Sequence, residues 1–219
     1  MKNLKIIKKY EADNYFSRNF KNYKKLIHDH KITNLINSTS IKANSILEIG
    51  SANGFQLKQY ADILKSKKNY GIDLSKKAII SGKKTFKDIK FFNYSSLEIG
   101  KLKQKFDLII CGFFLYQLDR SEIFKQFDLI YKTLNKNGYL IIYDFDPLFK
   151  HSNKNKHSKN IISYKSNYIN FLEESGVFKN IYRNRFVVEK YDINEYKSRD
   201  TSINLFQKIE FVDAFPNNL

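Results

Sequence analysis

The sequence has one cysteine and two prolines in 219 residues. The single thiol, Cys111, rules out an internal disulfide and fits a reducing compartment, which predicts a cytoplasmic location. One cysteine and four scattered histidines give no zinc-binding pattern, so we expect no metal site. The scarcity of proline excludes a proline-rich linker, and the length favours a single domain.

Long apolar runs are also missing. The chain has no apolar stretch of about 18 residues, so we expect no membrane-spanning segment and no membrane insertion. Its first nine residues, Met-Lys-Asn-Leu-Lys-Ile-Ile-Lys-Lys, contain no apolar core long enough for a signal peptide. Both observations favour the cytoplasm.

Arginine is scarce, although the chain is strongly basic. It has 34 lysines but only 5 arginines, and its formal net charge is +17. Abundant Lys together with 23 Asn and 27 Ile is the composition expected of an A/T-rich coding sequence. Because arginine binds phosphate bidentately and the lysines are dispersed, we interpret the charge as a solvated basic surface, with steering of an anionic substrate as the alternative.

Strand-like and helical patterns alternate through the middle of the chain. This alternation predicts a parallel sheet with helices on both faces, and strands that are apolar on both sides fit a doubly covered sheet. Two β-rich segments, 177–191 and 201–212, predict a terminal antiparallel pair. The predicted fold is therefore α/β and doubly wound, a mostly parallel seven-stranded sheet with an antiparallel C-terminal strand. The other predicted strands are 45–50, 68–73, 89–93, 106–111 and 139–143, and the predicted helices include 13–37, 54–66 and 123–134.

Short polar signals predict where several helices begin and end. Ser75 is a good N-cap for the helix that follows it. Asp119-Arg-Ser-Glu122 has the spacing of a capping box. Gly138 is expected to close the helix before the fifth strand. Ser163 is expected to cap a later helix that stops at Gly176.

The first strand–helix turn is the most informative stretch. It reads Glu48-Ile-Gly50-Ser-Ala-Asn-Gly54, and an acid, Asp73, ends the second strand. A glycine leaving a strand lets a ligand approach the backbone, and an acid at the end of the next strand can accept both ribose hydroxyls. Together they predict a site for an adenosine-containing cofactor. The spacing fails the G-x-G-x-x-G pattern of nicotinamide dinucleotides, which leaves a nicotinamide oxidoreductase as a minor alternative.

This turn resembles the acid-x-Gly-x-Gly-x-Gly motif of class I S-adenosylmethionine-dependent methyltransferases, with Ala52 in place of the middle glycine. Further matches follow in order over roughly residues 40–145: Gly71–Ser75, Tyr94–Leu97, Phe106–Phe113 and Leu134–Ile142. The resemblance implies S-adenosyl-L-methionine as cofactor and S-adenosyl-L-homocysteine as product. The cofactor-binding residues that it implies, with two from the first helix, are Glu48, Gly50, Ser51, Asn53, Gly54, Asp73, Leu74, Ser95, Ser96, Cys111, Phe113, Tyr15 and Arg18.

Structural alternatives stay open for several of these residues. Glu48 could bond only to nearby backbone amides, and Cys111 could be a small buried apolar residue.

The domain, residues 1–219, is divided into an N-terminal cap helix region, a cofactor-binding core, a substrate-side loop and a C-terminal helix with a strand pair. These parts are residues 1–44, 45–144, 145–163 and 164–219.

The acceptor side offers three candidate catalytic residues after the fifth strand. His151 could act as general base at neutral pH, and Asp144 or Asp146 could orient it or hold a substrate hydroxyl. A solvated loop histidine is the alternative for His151.

The chain lacks the Asn/Asp-Pro-Pro-Tyr motif of nucleobase amine methyltransferases and a second basic domain, so nucleic acid is not the expected partner. Lysines 150, 154, 156 and 159 could hold a phosphorylated acceptor or form a solvated charge run.

Other stretches are similar to small bacterial methyltransferases encoded with surface-polysaccharide genes, including those proposed to O-methylate capsular phosphoramidate. These are Tyr15–Arg18, Tyr23–His30, Gly112–Arg120, Asp144–Pro147, and Ile162–Lys165 with Tyr168. This resemblance implies O-methylation of a small anionic sugar- or phosphate-bearing metabolite in capsule biosynthesis. The alternatives are an RNA- or protein-directed methyltransferase and a cofactor-binding protein without transferase activity. The oligomeric state is left open.

Overall fold

The computed structural model describes residues 2–19, 31–155, 157–158, 160–187, 200–210 and 213. Its centre is a seven-stranded sheet in the order β3-β2-β1-β4-β5-β9-β8, and β6 and β7 form a separate two-stranded sheet. The strands are β1 Ser45–Ile49, β2 Lys68–Ile72, β3 Ile89–Phe92, β4 Phe106–Gly112, β5 Leu134–Phe145, β6 His151–Lys154, β7 Ile162–Lys165, β8 Phe178–Phe186 and β9 Thr201–Lys208.

Helices cover both faces of the sheet. They are α1 Lys2–Ile6, α2 Ala12–Asn19, α3 Lys31–Ser38, α4 Phe55–Leu64, α5 Lys76–Thr85, α6 Ile123–Thr133 and α7 Ile169–Glu174, with a π-helical segment Ile7–Glu11 between the first two. Helices α3, α4 and α5 share one apolar core with the sheet. Helices α6 and α7 share a second core on the other face. Since β1 is buried at every position, its apolar residues satisfy both cores.

The sheet topology confirms the predicted fold class. Strands β1 to β5 run parallel, and β9 inserts antiparallel beside β5, from Tyr139 opposite Gln207 to Phe145 opposite Thr201. Strand β8 then pairs antiparallel with β9 at the edge. The strand order reverses between β1 and β4, so a ligand crevice is expected at their carboxyl ends.

The N-terminal helical region differs from its prediction. The chain is already helical at Lys2, well before the predicted start at residue 13, and a π-helical segment separates α1 from α2. Residues 20–30 of the predicted helix lie outside the described part of the chain. In the described ranges no helix is long and apolar enough to cross a membrane.

One of the four predicted helix signals is confirmed, and the other three have a different role. Ser75 is confirmed as an N-cap, because its hydroxyl accepts the Ala78 amide at 3.0 Å. The capping box at residues 119–122 is wrong: the Asp119 carboxylate accepts the backbone N–H of Asn3 at 3.1 Å instead of capping its own turn. A contact with a distant residue replaces the local one.

Gly138 does not close a helix. Helix α6 ends at Thr133, and the left-handed residue is Asn137, with φ 57°, near the start of β5. A Cβ on Gly138 would lie 3.0 Å from the Asn135 carbonyl oxygen and 3.2 Å from that of Phe106. Glycine is needed there because two backbone segments come together.

The predicted substrate-side loop, residues 145–163, contains a strand. Strand β6 pairs antiparallel with β7, with His151 opposite Lys165 and Lys154 opposite Ile162. Ser163 therefore lies within β7 and cannot cap a helix. Helix α7 starts later, where the Asn167 side chain accepts the Ile169 amide at 2.8 Å.

Candidate active site

A cavity of about 240 Å³ opens at the carboxyl ends of β1, β2, β4 and β5. The N-terminal helices form its outer wall and the strand ends form its floor. The lining residues are Leu4, Ile7, Ala12, Tyr15, Phe16, Ile32, Glu48, Ile49, Gly50, Ala52, Gln56, Ile72, Asp73, Leu74, Ala78, Tyr94, Ser96, Gly112, Phe113, Phe114, Gln117 and Tyr143. None of the lining residues is a lysine or an arginine.

The turn after β1 brings the backbone to the cavity through three left-handed residues. Gly50, Ala52 and Gly54 have φ values of 79°, 47° and 83°. Ala52 occupies a conformation that favours glycine, which explains why the related motif has glycine at that position. The amides of Gly50 and Ser51 both donate to the Ile72 carbonyl, at 2.9 and 3.0 Å, so the turn is fixed to β2.

Asp73 faces the cavity from the end of β2. Its carboxylate accepts the amides of Ala52 at 2.9 Å and Ser75 at 2.7 Å, which orients both oxygens. The Asn93 side chain donates to the carbonyls of Asp73 and Leu74, both at 2.9 Å, and holds the backbone. Burial raises the pKa of Asp73, and the lone pairs that remain on its oxygens can accept two vicinal hydroxyls.

Glu48 lies at the end of β1, with only 4% of its surface exposed. The Leu57 amide donates to its carboxylate, whereas Oε2 is buried and has no partner among the described residues. Burial, with a smaller contribution from the charge of Asp73, raises the pKa of Glu48 to about 8. An unpaired buried acceptor beside a cavity is suited to a donor or cation of a ligand.

Two further predicted cofactor residues behave differently from each other. Ser96 lines the cavity, and its buried hydroxyl has no partner in the described part of the chain. Ser95 does not line the cavity, because its amide and hydroxyl both donate to Glu98 Oε2, at 2.9 and 3.0 Å. Tyr94 lines the cavity in its place.

Some predicted cofactor residues pack behind the cavity wall. Cys111 is fully buried in the sheet core, and burial raises the pKa of its thiol, as the apolar alternative implies. A Cβ on Gly71 would lie 2.6 Å from Ser51 Oγ, so Ser51 packs against β2. Gly54 packs against Phe91 instead of the cavity. Asn53 is buried and also does not line the cavity.

Helix α2 carries the two predicted N-terminal residues, and one of them lines the cavity. Tyr15 lines the cavity, and burial followed by the charge of Asp73 raises the pKa of its phenol. Arg18 does not line the cavity, since its guanidinium donates to the Glu11 carboxylate on the same helical arm.

The acceptor side of the cavity is formed by the segment after β4 and the end of β5. Phe113 lines the cavity at φ 51°, and its amide donates to the Tyr143 carbonyl at 2.8 Å. The rings of these two residues lie 4.6 Å apart, edge to face. Phe114 and Gln117 complete this wall.

Asp144 was predicted as catalytic, but the structure does not place it on the cavity wall. Its buried carboxylate accepts the amides of Leu115 at 2.9 Å and Phe145 at 2.7 Å. Burial raises the pKa of Asp144 to about 7. The bonds indicate that Asp144 holds the segment after β4 in place.

Asp146 and His151 also lie away from the cavity lining. Asp146 is buried and accepts from Arg183 of β8 at 3.1 Å. His151 lies on β6 with Nδ1 3.0 Å from the Phe149 carbonyl oxygen. The structure thus does not bring the three predicted catalytic side chains together, and their catalytic roles stay predictions.

Sequence reasoning missed several cavity residues, chiefly Gln56, Tyr94, Gln117 and Tyr143. Tyr143 precedes the predicted Asp144 by one position, and side chains alternate between the two faces of a strand. Because both faces of β5 are covered, its apolar pattern does not reveal which face turns toward the cavity.

The cavity fits an adenosyl amino acid. Asp73 offers oriented acceptors for ribose hydroxyls. Within the described part of the chain, Glu48 offers a buried unpaired oxygen for an ammonium and Ser96 an unpaired hydroxyl. In the described ranges no group of three or more His, Cys, Asp and Glu side chains is placed to hold a metal ion.

Known proteins share this architecture. N-methyltransferase NodS of Bradyrhizobium japonicum WM9, in complex with S-adenosyl-L-homocysteine, is 21% identical with a TM-score of 0.59, covering 82% of this chain and 85% of that chain. Magnesium protoporphyrin IX methyltransferase ChlM of Synechocystis PCC 6803, with bound S-adenosylmethionine, is 13% identical with a TM-score of 0.64, covering 95% and 98%. At these identities the likeness shows the fold.

A sequence relative and a family match complete the comparison. An uncharacterized protein of Rickettsia prowazekii (strain Madrid E) is 31% identical over 112 residues, which are 49% of this chain and 45% of that protein, so the match spans less than half of the relative. Residues 41–206, well over half of the chain, match the methyltransferase domain family. The chain therefore belongs to that family and has the class I fold of S-adenosylmethionine-dependent methyltransferases.

Proposed function

We propose that this protein transfers a methyl group from S-adenosylmethionine to a small-molecule acceptor. The observation that carries the proposal is the pair of acids in one cavity, Asp73 with two oriented oxygens and Glu48 with a buried oxygen that has no partner among the described residues. Asp73 would hold the ribose, Glu48 the ammonium, and Ser96 with Tyr94 the adenine side. The cofactor supplies an electrophilic methyl group on a positively charged sulfur.

The cavity size favours a small acceptor. The N-terminal helices and the segment after β4 enclose about 240 Å³, and the cofactor would occupy part of that space. A bulky RNA or protein substrate could present only a single protruding group to such a site. The rival RNA- or protein-directed function therefore has no specific observation in its favour.

Aromatic rings extend from the acceptor wall toward the surface. Phe113 lies 5.6 Å from Phe145, and Tyr143 lies 6.3 Å from Phe186, measured between ring centroids. Phe113 is exposed and the other three are partly so. Such rings can pack against the apolar faces of a sugar or a planar group.

Two lysines border these rings. Lys165 Nζ lies 4.2 Å from the centroid of Phe145, and Lys31 Nζ lies 4.5 Å from that of Phe186. Ammonium groups at the edge of an apolar surface favour a ligand that combines a ring with a negative charge. This supports the acceptor class implied by the sequence resemblance, an anionic sugar- or phosphate-bearing metabolite of surface-glycan biosynthesis. Lys150 and Lys154 are exposed, and residues 156 and 159 lie outside the described part of the chain.

A hydroxyl acceptor has to lose a proton, and we retain His151 as the proposed base. Its Nδ1 faces the Phe149 carbonyl, so the neutral ring carries its hydrogen there. Its Nε2 is buried without a partner in the described ranges and lies away from the cavity lining, so the base role requires β6 to move toward the acceptor when it binds. His151→Gln should lower kcat more than tenfold, on the scale of general-base catalysis, without changing S-adenosylhomocysteine affinity.

Calorimetry with S-adenosylhomocysteine tests the cofactor site. Asp73→Asn should weaken binding about 100-fold, because two charge-assisted hydrogen bonds are lost. The matched control is Asp62→Asn, an exposed acid on α4. If folded Asp73→Asn protein binds as tightly as the control, the cofactor assignment is wrong.

Transfer of a labelled methyl group tests the acceptor class. We expect incorporation into nucleotide-linked sugars or sugar phosphates and none into RNA or protein. Replacing Lys31 and Lys165 by Gln should raise the acceptor KM, whereas Lys90→Gln, a lysine 5.4 Å from the centroid of Tyr70 at the β3 edge, should not. Label in RNA or protein alone would overturn the small-acceptor proposal, and intact cofactor binding without any transfer would favour a non-catalytic protein.

A further inference from the structure

The N-terminal arm, defined here as residues 2–19, lies across the cavity. Five of its residues line the outer wall, namely Leu4, Ile7, Ala12, Tyr15 and Phe16. Ile7 and Ala12 also pack with Leu74 beside the ribose-binding carboxylate. The arm therefore covers one side of a ligand that binds against the strand ends.

One end of the arm is anchored by Asn3, which is only 3% exposed. Its side-chain amide donates to the carbonyls of Gln117 at 3.1 Å and Ile162 at 2.7 Å. The Ile162 amide donates back to Asn3 Oδ1 at 3.3 Å. These bonds fasten the start of the arm to the acceptor wall and to β7.

The second anchor of the arm is Asp13, in the first turn of α2. Its Oδ1 accepts the hydroxyl of Ser75 at 2.7 Å and the amide of Lys77 at 3.0 Å, both at the N-terminus of α5. The backbone amide of Ser75 donates to Asp73, so one residue connects the arm to the ribose-binding carboxylate. A carboxylate at a helix N-terminus also gains from the helix dipole.

The two anchors, Asn3 and Asp13, differ in how easily their contacts can break. Asn3 is buried and bonds to two separate segments, whereas Asp13 is only partly buried and bonds to a single helix end that water can also solvate. The π-helical segment Ile7–Glu11 lies between them, and such wide turns are weaker points of a helix. The arm can thus open at α2 while Asn3 remains in place.

We propose that Asp13 is a positioning residue that latches the N-terminal arm over the bound cofactor and sets how long the cofactor stays, an inference that rests on the proposed cofactor site. It need not touch the cofactor, since its effect passes through Ser75 and through the arm residues on the cavity wall. Opening of the latch admits S-adenosylmethionine and releases S-adenosylhomocysteine.

The dissociation rate of S-adenosylhomocysteine from the full-length protein tests this role. Asp13→Ala should release it about tenfold faster, because the bonds from the Ser75 hydroxyl and the Lys77 amide are both lost, and Asp13→Asn should have a smaller effect because its amide oxygen can still accept them. The matched control is Asn14→Ala, an exposed neighbour whose side chain bonds only within the helix, to the Tyr10 carbonyl at 2.8 Å. The melting temperature of the cofactor-free protein should fall in both Asp13 variants, because the contact with the end of α5 is lost, so release is compared at a temperature well below the unfolding of all three variants. Equal dissociation rates in Asp13→Ala and Asn14→Ala would overturn the proposal.

A reversible crosslink tests the same latch by replacing its hydrogen bonds with a covalent bond. Asp13→Cys combined with Lys77→Cys joins the arm to α5, and the only native thiol, Cys111, is buried. Oxidation should trap S-adenosylhomocysteine loaded beforehand and exclude S-adenosylhomocysteine added afterwards, and reduction should restore exchange. Equal exchange in crosslinked and reduced protein would contradict the latch.

Discussion

Glu48 has two carboxylate oxygens in different surroundings. The carboxylate accepts the Leu57 amide, and its Oε2 is buried without a partner in the described part of the chain. The structural and the functional interpretation of this residue are therefore compatible, one for each oxygen. Burial next to Asp73 raises the pKa of Glu48 to about 8, so the side chain is mostly protonated at neutral pH when no cation is near.

Cofactor binding should therefore release a proton. An ammonium beside Glu48 favours the carboxylate and lowers its pKa, so S-adenosylhomocysteine affinity should rise with pH and level off above about 8. Calorimetry at pH 7 in buffers of different ionisation enthalpy should detect close to one proton released by the wild type. Glu48→Gln should lose most of this release, and an unchanged proton count in that variant would contradict the assignment.

The raised pKa of Glu48 also affects the stability of the cofactor-free protein. The unfolded chain ionises Glu48 near 4.5, whereas the folded protein keeps it protonated up to about 8. Its contribution to the free energy of unfolding is thus fully present below pH 4.5 and is lost as pH rises toward 8. Urea titrations should show a smaller decline over this range in Glu48→Gln than in the wild type, and identical slopes would argue against the raised pKa.

At the scale of elements, the β1–α4 turn shows why sequence predicted this part of the site well. Gly50, Ala52 and Gly54 are close in sequence, and their left-handed conformations are local properties. The β6–β7 pair was missed for the opposite reason. Its strands are short and polar, and their pairing joins residues 151–154 to 162–165, so no apolar alternation marks them.

Gly54 should tolerate no side chain. A Cβ there would lie 2.4 Å from Phe91 Cζ, and Phe91 is itself buried. With φ at 83° as well, we expect Gly54→Ala to lower the free energy of unfolding by about 2–4 kcal/mol. The control is Gly100→Ala, where the nearest atom, Leu129 Cδ2, is 3.9 Å away. Denaturant unfolding compares them, and equal losses would contradict the packing argument.

Asp144 should stabilise the conformation of the segment after β4 rather than act in the reaction itself. Asp144→Asn would turn an amide N–H toward the amide of Leu115 or Phe145, which are donors themselves. We expect hydrogen exchange at residues 113–118 to accelerate at least about tenfold, in line with the loss of a buried charge-assisted bond. Asp128→Asn on the exposed face of α6 is the control. If residues 113–118 exchange as slowly in Asp144→Asn as in the control, other contacts hold the segment and this role of Asp144 is wrong.

At the scale of the whole molecule, both cores of the sheet meet at β1 and β4, whose ends form the cavity floor. Ligand binding at this floor should stabilise the entire domain. S-adenosylhomocysteine at 100 times its Kd should add about 2.7 kcal/mol to the free energy of unfolding, whereas NAD should add nothing measurable. Thermal unfolding with each ligand distinguishes them, and protection by NAD alone would revive the oxidoreductase alternative.

The sequence alone determined the five parallel strands with the antiparallel pair after them, the bend after β1 and the acid at the end of β2. These features depend on chain neighbours and on the general rules of parallel sheets. Only the tertiary structure decided that Asn3 reaches Gln117 and that Asp144 turns away from the cavity toward backbone amides. Contacts between residues far apart in the chain, and the choice of face on a strand covered on both sides, leave no local pattern in the sequence.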